Sequence, residues 1–376
     1  MKWGVRMRYG FTTGSCSAAA AKAAAYMLLS GRKKTEIEIR TPKGILFQTA
    51  VLAIQRSEHT VSCAVKKDAG DDPDVTDGVL VYAKVTTKIP KDFLKCEESI
   101  IIEGGIGVGR VTKRGLDQPV GAAAINHVPR EMIRKEVAEV LALFDYKSPV
   151  YVEISIPEGV ALAKQTFNPR LGIVGGISVL GTTGIVEPMS EQALLDTIKT
   201  ELSVKRAEGG ELVSISPGNY GLDFLKRTYG FDLDTSVKCS NFIGNTIDMV
   251  VELGFSKLLL CGHLGKLIKV SGGIMNTHSR EGDCRMELLA AAAIQAKVPE
   301  DTLLKILQCA TTEEAVNVID VTGKREKVMK IILEKILFYL NKRAKDRLQI
   351  EVILYTNEHG ELVKSSGAET FMQMLK

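Results

Sequence analysis

No C-x-x-C pair occurs in this chain of 376 residues, and its seven cysteines are scattered without an even-numbered framework. A disulfide scaffold and a standard zinc knuckle are thereby excluded, and a reducing, cytoplasmic compartment is expected. No segment long enough to cross a membrane is free of charge, and the basic N-terminal residues lack the sustained apolar run of a signal peptide. The alanine run at residues 18–25 is too short for a span and carries Lys22. Neither sign of charge dominates, with 49 Lys and Arg against 45 Asp and Glu and a net charge of +4. Attraction for anions must therefore come from local patches, and general nucleic-acid binding is not expected. What is present is an ordinary globular composition, 45% hydrophobic and 25% charged, long enough for two cores.

Residues 1–186 read as an α+β domain with a mixed or antiparallel sheet. A helix is expected at 15–30 and another at 129–144, with β-branched strand runs at 36–40, 45–55, 59–67, 79–89, 99–105 and 149–157. Residues 187–376 change grammar. Helical spacing at 190–207 precedes strands at 211–216, 257–262 and 348–356, with helices at 240–253, across 284–320 and at 327–345. That alternation predicts a Rossmann-like three-layer α/β domain with a parallel sheet. A homo-oligomer stays open, since the apolar helix at 328–340 suits a dimer face or, as the expected use, a domain core.

The segment RYGFTTGSCSAAAAKAA at 8–24 runs from a Thr-Gly-Ser turn directly into a helix. Unpaired first-turn amides and the helix dipole favour an anion there, with Thr12, Thr13 and Ser15 adding hydroxyl donors, although a simple helix cap explains the same residues. Cys16 stands near that helix start, which would lower its pKa, but no base partner is evident. A second T-T-G turn, Thr182, Thr183 and Gly184, is expected at the junction between domains. GGIGVG at 104–109 lacks the Rossmann spacing and serves as a flexible turn or as a backbone wrap for an adenosyl or carboxylate group. Asp68, Asp71, Asp72, Asp74 and Asp77 fail the EF-hand spacing. Their crowding raises carboxylate pKa values, so that one of them could act as a base; a solvated turn pinned by Pro73 is the plainer alternative.

GHLGK at 262–266 is too short for a Walker loop, yet follows a strand, as does SISPGNYG at 214–221. In a parallel sheet both open on one edge, placing Pro217, Gly218 and Asn219 beside Gly262, His263, Gly265 and Lys266 in a crevice able to hold a nucleoside. Cys261, His263, His278 and Cys284 fit no zinc spacing, so no protein-bound metal is expected.

These segments, with KDAGDDPDVTDG at 67–78, GGIGVGRVTKRGL at 104–116, TFNPRLGIVGGISVLGTTGIVEPMSE at 166–191 and GHLGKLIKVSGGIMNTHS at 262–279, resemble the CbiD family of anaerobic cobalamin biosynthesis, the cobalt-precorrin-5B C(1)-methyltransferases. The likeness runs in order from Arg8 to at least Glu287. It implies methyl transfer from S-adenosylmethionine to C-1 of cobalt-precorrin-5B, giving cobalt-precorrin-6A, with cobalt carried by the corrinoid. A polycarboxylate substrate would meet Arg170 beside Asn168, Lys113 and Arg114, and Lys266 with Lys269, while Thr12, Thr13, Ser15, Thr182 and Thr183 add short hydrogen bonds. His263 and His278 are the acid/base candidates, with Asp72 or Asp74 behind them. S-adenosylmethionine is expected in the second domain, on Pro217, Gly218, Asn219, Gly262 and Gly265. His127 and Cys284 stand where the family pattern leads one to expect proline and glycine. The competing reading is a non-catalytic carrier of tetrapyrrole intermediates.

Overall fold

The computed structural model describes residues 7–231 and 236–376. The chain divides into two compact units, Met1–Glu191 and Gln192–Lys376.

In the first unit, alanines let the helix Thr13–Ser30 sit at the centre of the core, since small side chains allow neighbours to approach on every side. Ala18 to Ala21 and Ala23 to Ala25 are all buried. Lys22 is the polar exception and pairs with Glu136 at 2.6 Å, on the neighbouring helix His127–Leu143. A mixed five-stranded sheet covers the helix, in the order Leu52–Arg56, Thr60–Lys66, Leu80–Thr86, Val150–Ser155, Ile100–Gly104. Only its last pair is parallel. Val61, Cys63, Val65, Val81, Ala83 and Val85 alternate onto the core face, as period-2 burial requires.

The run expected as one strand at 45–55 is two. Leu46–Ala50 pairs with Glu36–Arg40 in a separate hairpin, whereas Leu52–Arg56 edges the main sheet. Between them the Val51 amide bonds Thr35 O, and Ala53 takes φ 48°, which breaks the extended path. The glycine run at 104–109 is also corrected. It packs against its own chain: Gly107 has φ +76°, and a Cβ there would lie 1.6 Å from Ile156 O. A Cβ on Gly109 would meet Ile173 and Gly176, so close backbone approach accounts for these glycines without a ligand.

The second unit carries a sheet in the order Ser236–Lys238, Leu212–Ser216, Lys257–His263, Gln349–Thr356, Gly360–Lys364. The first four strands are parallel and the last is antiparallel. Leu258, Leu260, Ile350 and Val352 face one core, which the helices Ile243–Glu252, Arg285–Gln295 and Arg325–Ala344 complete. Leu259, Cys261, Ile353 and Tyr355 face the other, against Phe224, Leu225, Phe371 and Met372 from the helices Asn219–Tyr229 and Ala368–Met374. Apolar residues at consecutive strand positions thus follow from coverage of both faces. Val328, Ile332, Ile336 and Leu340 of the long helix are buried in the first of these cores.

Candidate functional site

Open parallel sheets bind ligands beyond the carboxyl ends of their strands, where the strand order reverses. In the second unit that point lies between Leu212–Ser216 and Lys257–His263, because the strand after each is added on the opposite side. The turns leaving these strands meet there. Lys266 Nζ donates to Pro217 O at 2.8 Å, and a Cβ on Gly262 would come within 3.1 Å of the Pro217 ring. Gly218 adopts φ 125° and ψ −177°, a conformation closed to L side chains, which lets the chain turn sharply into the following helix. Gly265 faces His263 and Thr312 rather than Pro217. The side chain of Asn219 lies outside the described residues.

Two lysines of the helix Leu264–Val270 supply the electrostatics. Burial lowers the Lys266 ammonium below its ordinary value; the neighbouring Cys239 sulfur opposes that shift and the Lys269 charge adds to it. Lys269 is 4% exposed, and its Nζ donates to Gly282 O at 2.8 Å and Thr277 O at 3.3 Å. Asp283 is near enough to feel the Lys269 charge, but its carboxylate is held by Arg285. Among the described residues neither lysine has a carboxylate at ion-pair distance. Buried charges are normally paired, so ammonium groups that face carbonyls alone suit an incoming carboxylate.

His263 caps the same helix. Its Nδ1 accepts from the Gly265 N–H at 3.0 Å, which leaves the proton on Nε2, 3.1 Å from Glu313 Oε1. Both ring nitrogens are therefore engaged, Nδ1 in capping the helix and Nε2 with Glu313. His278 differs. It is exposed, and its Nδ1 accepts from the Arg280 amide at 3.1 Å, which leaves the ring proton on Nε2. Its loop docks through Thr277 N–H to Asn241 O and carries the Thr277 carbonyl that holds Lys269.

In the first unit the two T-T-G turns join one another. Gly14 N–H bonds Leu180 O at 3.0 Å, Ser15 N–H bonds Thr12 Oγ1 at 3.2 Å, and Ser15 Oγ donates to Gly184 O at 2.5 Å. Thr13 Oγ1 accepts from the Leu180 amide at 3.1 Å. The helix start expected to hold an anion thus spends these donors on the chain itself, and Thr13 and Ser15 are buried. Thr182 and Thr183 remain exposed, beside a half-buried Thr12. This T-T-G turn lies in the first unit, a few residues before that unit ends at Glu191.

Asn168 is likewise committed. Its Oδ1 accepts from the Ser178 amide and hydroxyl, and its Nδ2 donates to Thr166 Oγ1 at 2.7 Å. Lys113 and Arg170 are half-buried and Arg114 is exposed. The acidic cluster is wired into the fold. Asp68 clasps Arg8, Asp72 accepts from the Met189 amide, and Asp74 pairs at 2.7 Å with Lys67, whose side chain is 2% exposed. Burial alone would raise the Asp74 carboxyl, but Lys67 and Thr76 outweigh it and hold the group below its ordinary value. The raised-pKa base expected from crowding is therefore corrected for Asp74. Cys16 is corrected too, since burial pushes its thiol up to about 12.

The second unit is thus an α/β fold in which Lys266 stands where the turns leaving two neighbouring parallel strands meet. Comparison with known proteins identifies its kind. The CbiD family model matches residues 2–188, and the model of the CbiD C-terminal domain matches residues 276–366. A protein of Ruminiclostridium cellulolyticum named cobalt-precorrin-5B C(1)-methyltransferase is 49% identical over 96% of this chain and 92% of its own. One so named from Alkaliphilus metalliredigens is 43% identical over 100% of this chain and 97% of its own. A crystal structure of cobalamin biosynthesis protein cbiD from Archaeoglobus fulgidus is 24% identical, covering 77% of this chain and 84% of that one, with a TM-score of 0.38. The chain belongs to the CbiD family.

Proposed function

We propose that this chain transfers a methyl group from S-adenosylmethionine to C-1 of cobalt-precorrin-5B, giving cobalt-precorrin-6A, in the cytoplasm, with cobalt carried by the corrinoid. The observation that carries the proposal is the near full-length identity to proteins named for that reaction. We read the second unit as a Rossmann-like three-layer domain, supported by its parallel strands and two covered faces. The methyl donor then sits at the switch point, against Pro217, Gly218 and Gly262.

Methyl transfer needs no covalent enzyme intermediate. The protein's work is to align the sulfonium methyl with the carbon nucleophile and to keep water out. Lys266 and Lys269 hold carboxylates of cofactor or substrate, replacing carbonyl partners with anionic ones. His278 is the group placed to exchange a proton, since it is exposed and only its Nδ1 is committed to the backbone. The enzyme acts on a small molecule, not on nucleic acid. Purified protein incubated without oxygen with cobalt-precorrin-5B and S-adenosylmethionine should form S-adenosylhomocysteine only when the corrinoid is present. A protein that binds the corrinoid tightly and forms none would be the tetrapyrrole carrier instead.

A further inference from the structure

The carboxyl edge of the second sheet holds a group of side chains that the crevice between the two glycine turns does not use. Glu313 lies on the helix Thr312–Asp320, and Glu358 and His359 form the turn that joins Gln349–Thr356 to Gly360–Lys364. One carboxylate oxygen from each glutamate and one imidazole nitrogen lie within 4.8 Å of one another. Two atoms bound to one ion at about 2.0–2.2 Å are at most about 4.4 Å apart, so binding a common ion would draw these three together by small side-chain shifts.

Two orphaned atoms point to a ligand. Glu313 Oε2 and His359 Nε2 are both buried and, among the described residues, have no hydrogen-bond partner. A buried polar atom left without a partner costs about 1–3 kcal/mol, so two in one cluster call for something that satisfies both. The surroundings are those of a supported metal ligand set. Glu313 Oε1 accepts from His263 Nε2 at 3.1 Å and from the Asn357 amide at 2.9 Å, which fixes the carboxylate and leaves Oε2 for another partner. Asn317 Nδ2 donates to Glu358 Oε2 at 3.3 Å. Ligating carboxylates are typically oriented by such outer hydrogen bonds.

We infer that Glu313, Glu358 and His359 form a site for a first-row divalent cation at the carboxyl edge of the second sheet. One nitrogen and two carboxylate ligands suit Mn²⁺ or Zn²⁺ and leave coordination positions open to water or to an oxygen of a bound ligand. Ligation through His359 Nε2 places the ring proton on Nδ1. The 3.4 Å contact from Arg325 Nη1 to Nδ1 then opens, and Arg325 falls back on Asp320, 3.0 Å away. The site stands apart from the methyl-transfer proposal and is tested without any turnover.

Mn²⁺ is the probe, titrated by electron paramagnetic resonance into protein stripped with a chelator and exchanged into chelator-free buffer. One saturable Mn²⁺ per chain is expected, with affinity falling at least about tenfold in Glu358→Gln and in His359→Gln and held in His278→Ala. Glu358 is exposed, so its variant folds. Arg325→Gln, which removes a cation beside the imidazole, should bind more tightly. Absence of saturable binding, or binding that both Glu358→Gln and His359→Gln leave unchanged, overturns the site.

Discussion

Lys269→Met separates a binding role from a structural one because the two predict opposite signs of stability change. Lys269 is 4% exposed and its ammonium has two carbonyl partners, Thr277 O and Gly282 O, and among the described residues no ion pair. Removing a charge from such a place recovers several kcal/mol of desolvation. The abandoned carbonyls return about 1–3 kcal/mol of that gain, partly relieved because Gly282 is half-exposed. Methionine keeps the length of the chain and suits a helix. The ligand-free variant should therefore match the wild type or gain up to about 2 kcal/mol, which is roughly 2–4 °C in Tm per kcal/mol for a domain of this size. A charge-assisted hydrogen bond lost to the substrate or cofactor is worth about 1.5–3 kcal/mol, so kcat/KM should fall roughly 10- to 150-fold. Thermal melting of both proteins, with initial rates of S-adenosylhomocysteine formation, reads the two arms. Loss of stability together with loss of activity would mean that Lys269 is part of the frame of the fold and not a ligand-binding group.

Asp74→Asn leaves Lys67, 2% exposed at its side chain, as a buried cation without its carboxylate; equilibrium urea unfolding should show a loss of about 3–5 kcal/mol. Because the folded Asp74 pKa lies below the unfolded value of 3.8, its contribution is fully present above that pH and is lost as pH falls through the depressed value. Stability measured against pH should accordingly show a shallower acid limb in Asp74→Asn than in the wild type. Gly107→Ala, whose added Cβ would lie 1.6 Å from Ile156 O at φ +76°, should cost at least about 3 kcal/mol in the same urea assay.

Much of the second unit was legible because strand burial and helical spacing are local signals. The strands at 257–262 and 348–356 and the helix at 190–207 appear with ends shifted by a residue or so. The meeting of Pro217 and Gly218 with Gly262 and Lys266 followed from one topological rule, that parallel strands open on one edge. The helices Asn219–Tyr229 and Leu264–Val270 went unread, since each begins inside a glycine-bearing turn and is short. Donor use was illegible in principle. Nothing in the spacing of Thr12, Thr13 and Ser15 says that residues 180 and 184 will accept or supply their hydrogen bonds, more than a hundred and sixty positions away. Glu313 stayed hidden in TTEEAV, which reads as a capped, solvated helix start. Its tie to His263 crosses fifty positions and exists only once the strand and helix are packed.

Cys284 illustrates the opposite case. The family pattern leads one to expect glycine there, and the residue takes φ 49°, the left-handed region that glycine favours.

Methyl transfer to C-1 is read out with S-adenosylmethionine labelled in the methyl carbon. A single-turnover incubation without oxygen, followed by carbon NMR and mass analysis of the corrinoid against a heat-inactivated control, locates the label. One labelled methyl on C-1 of the macrocycle is the predicted result. Unlabelled corrinoid recovered bound to folded protein, with cofactor intact, would contradict it.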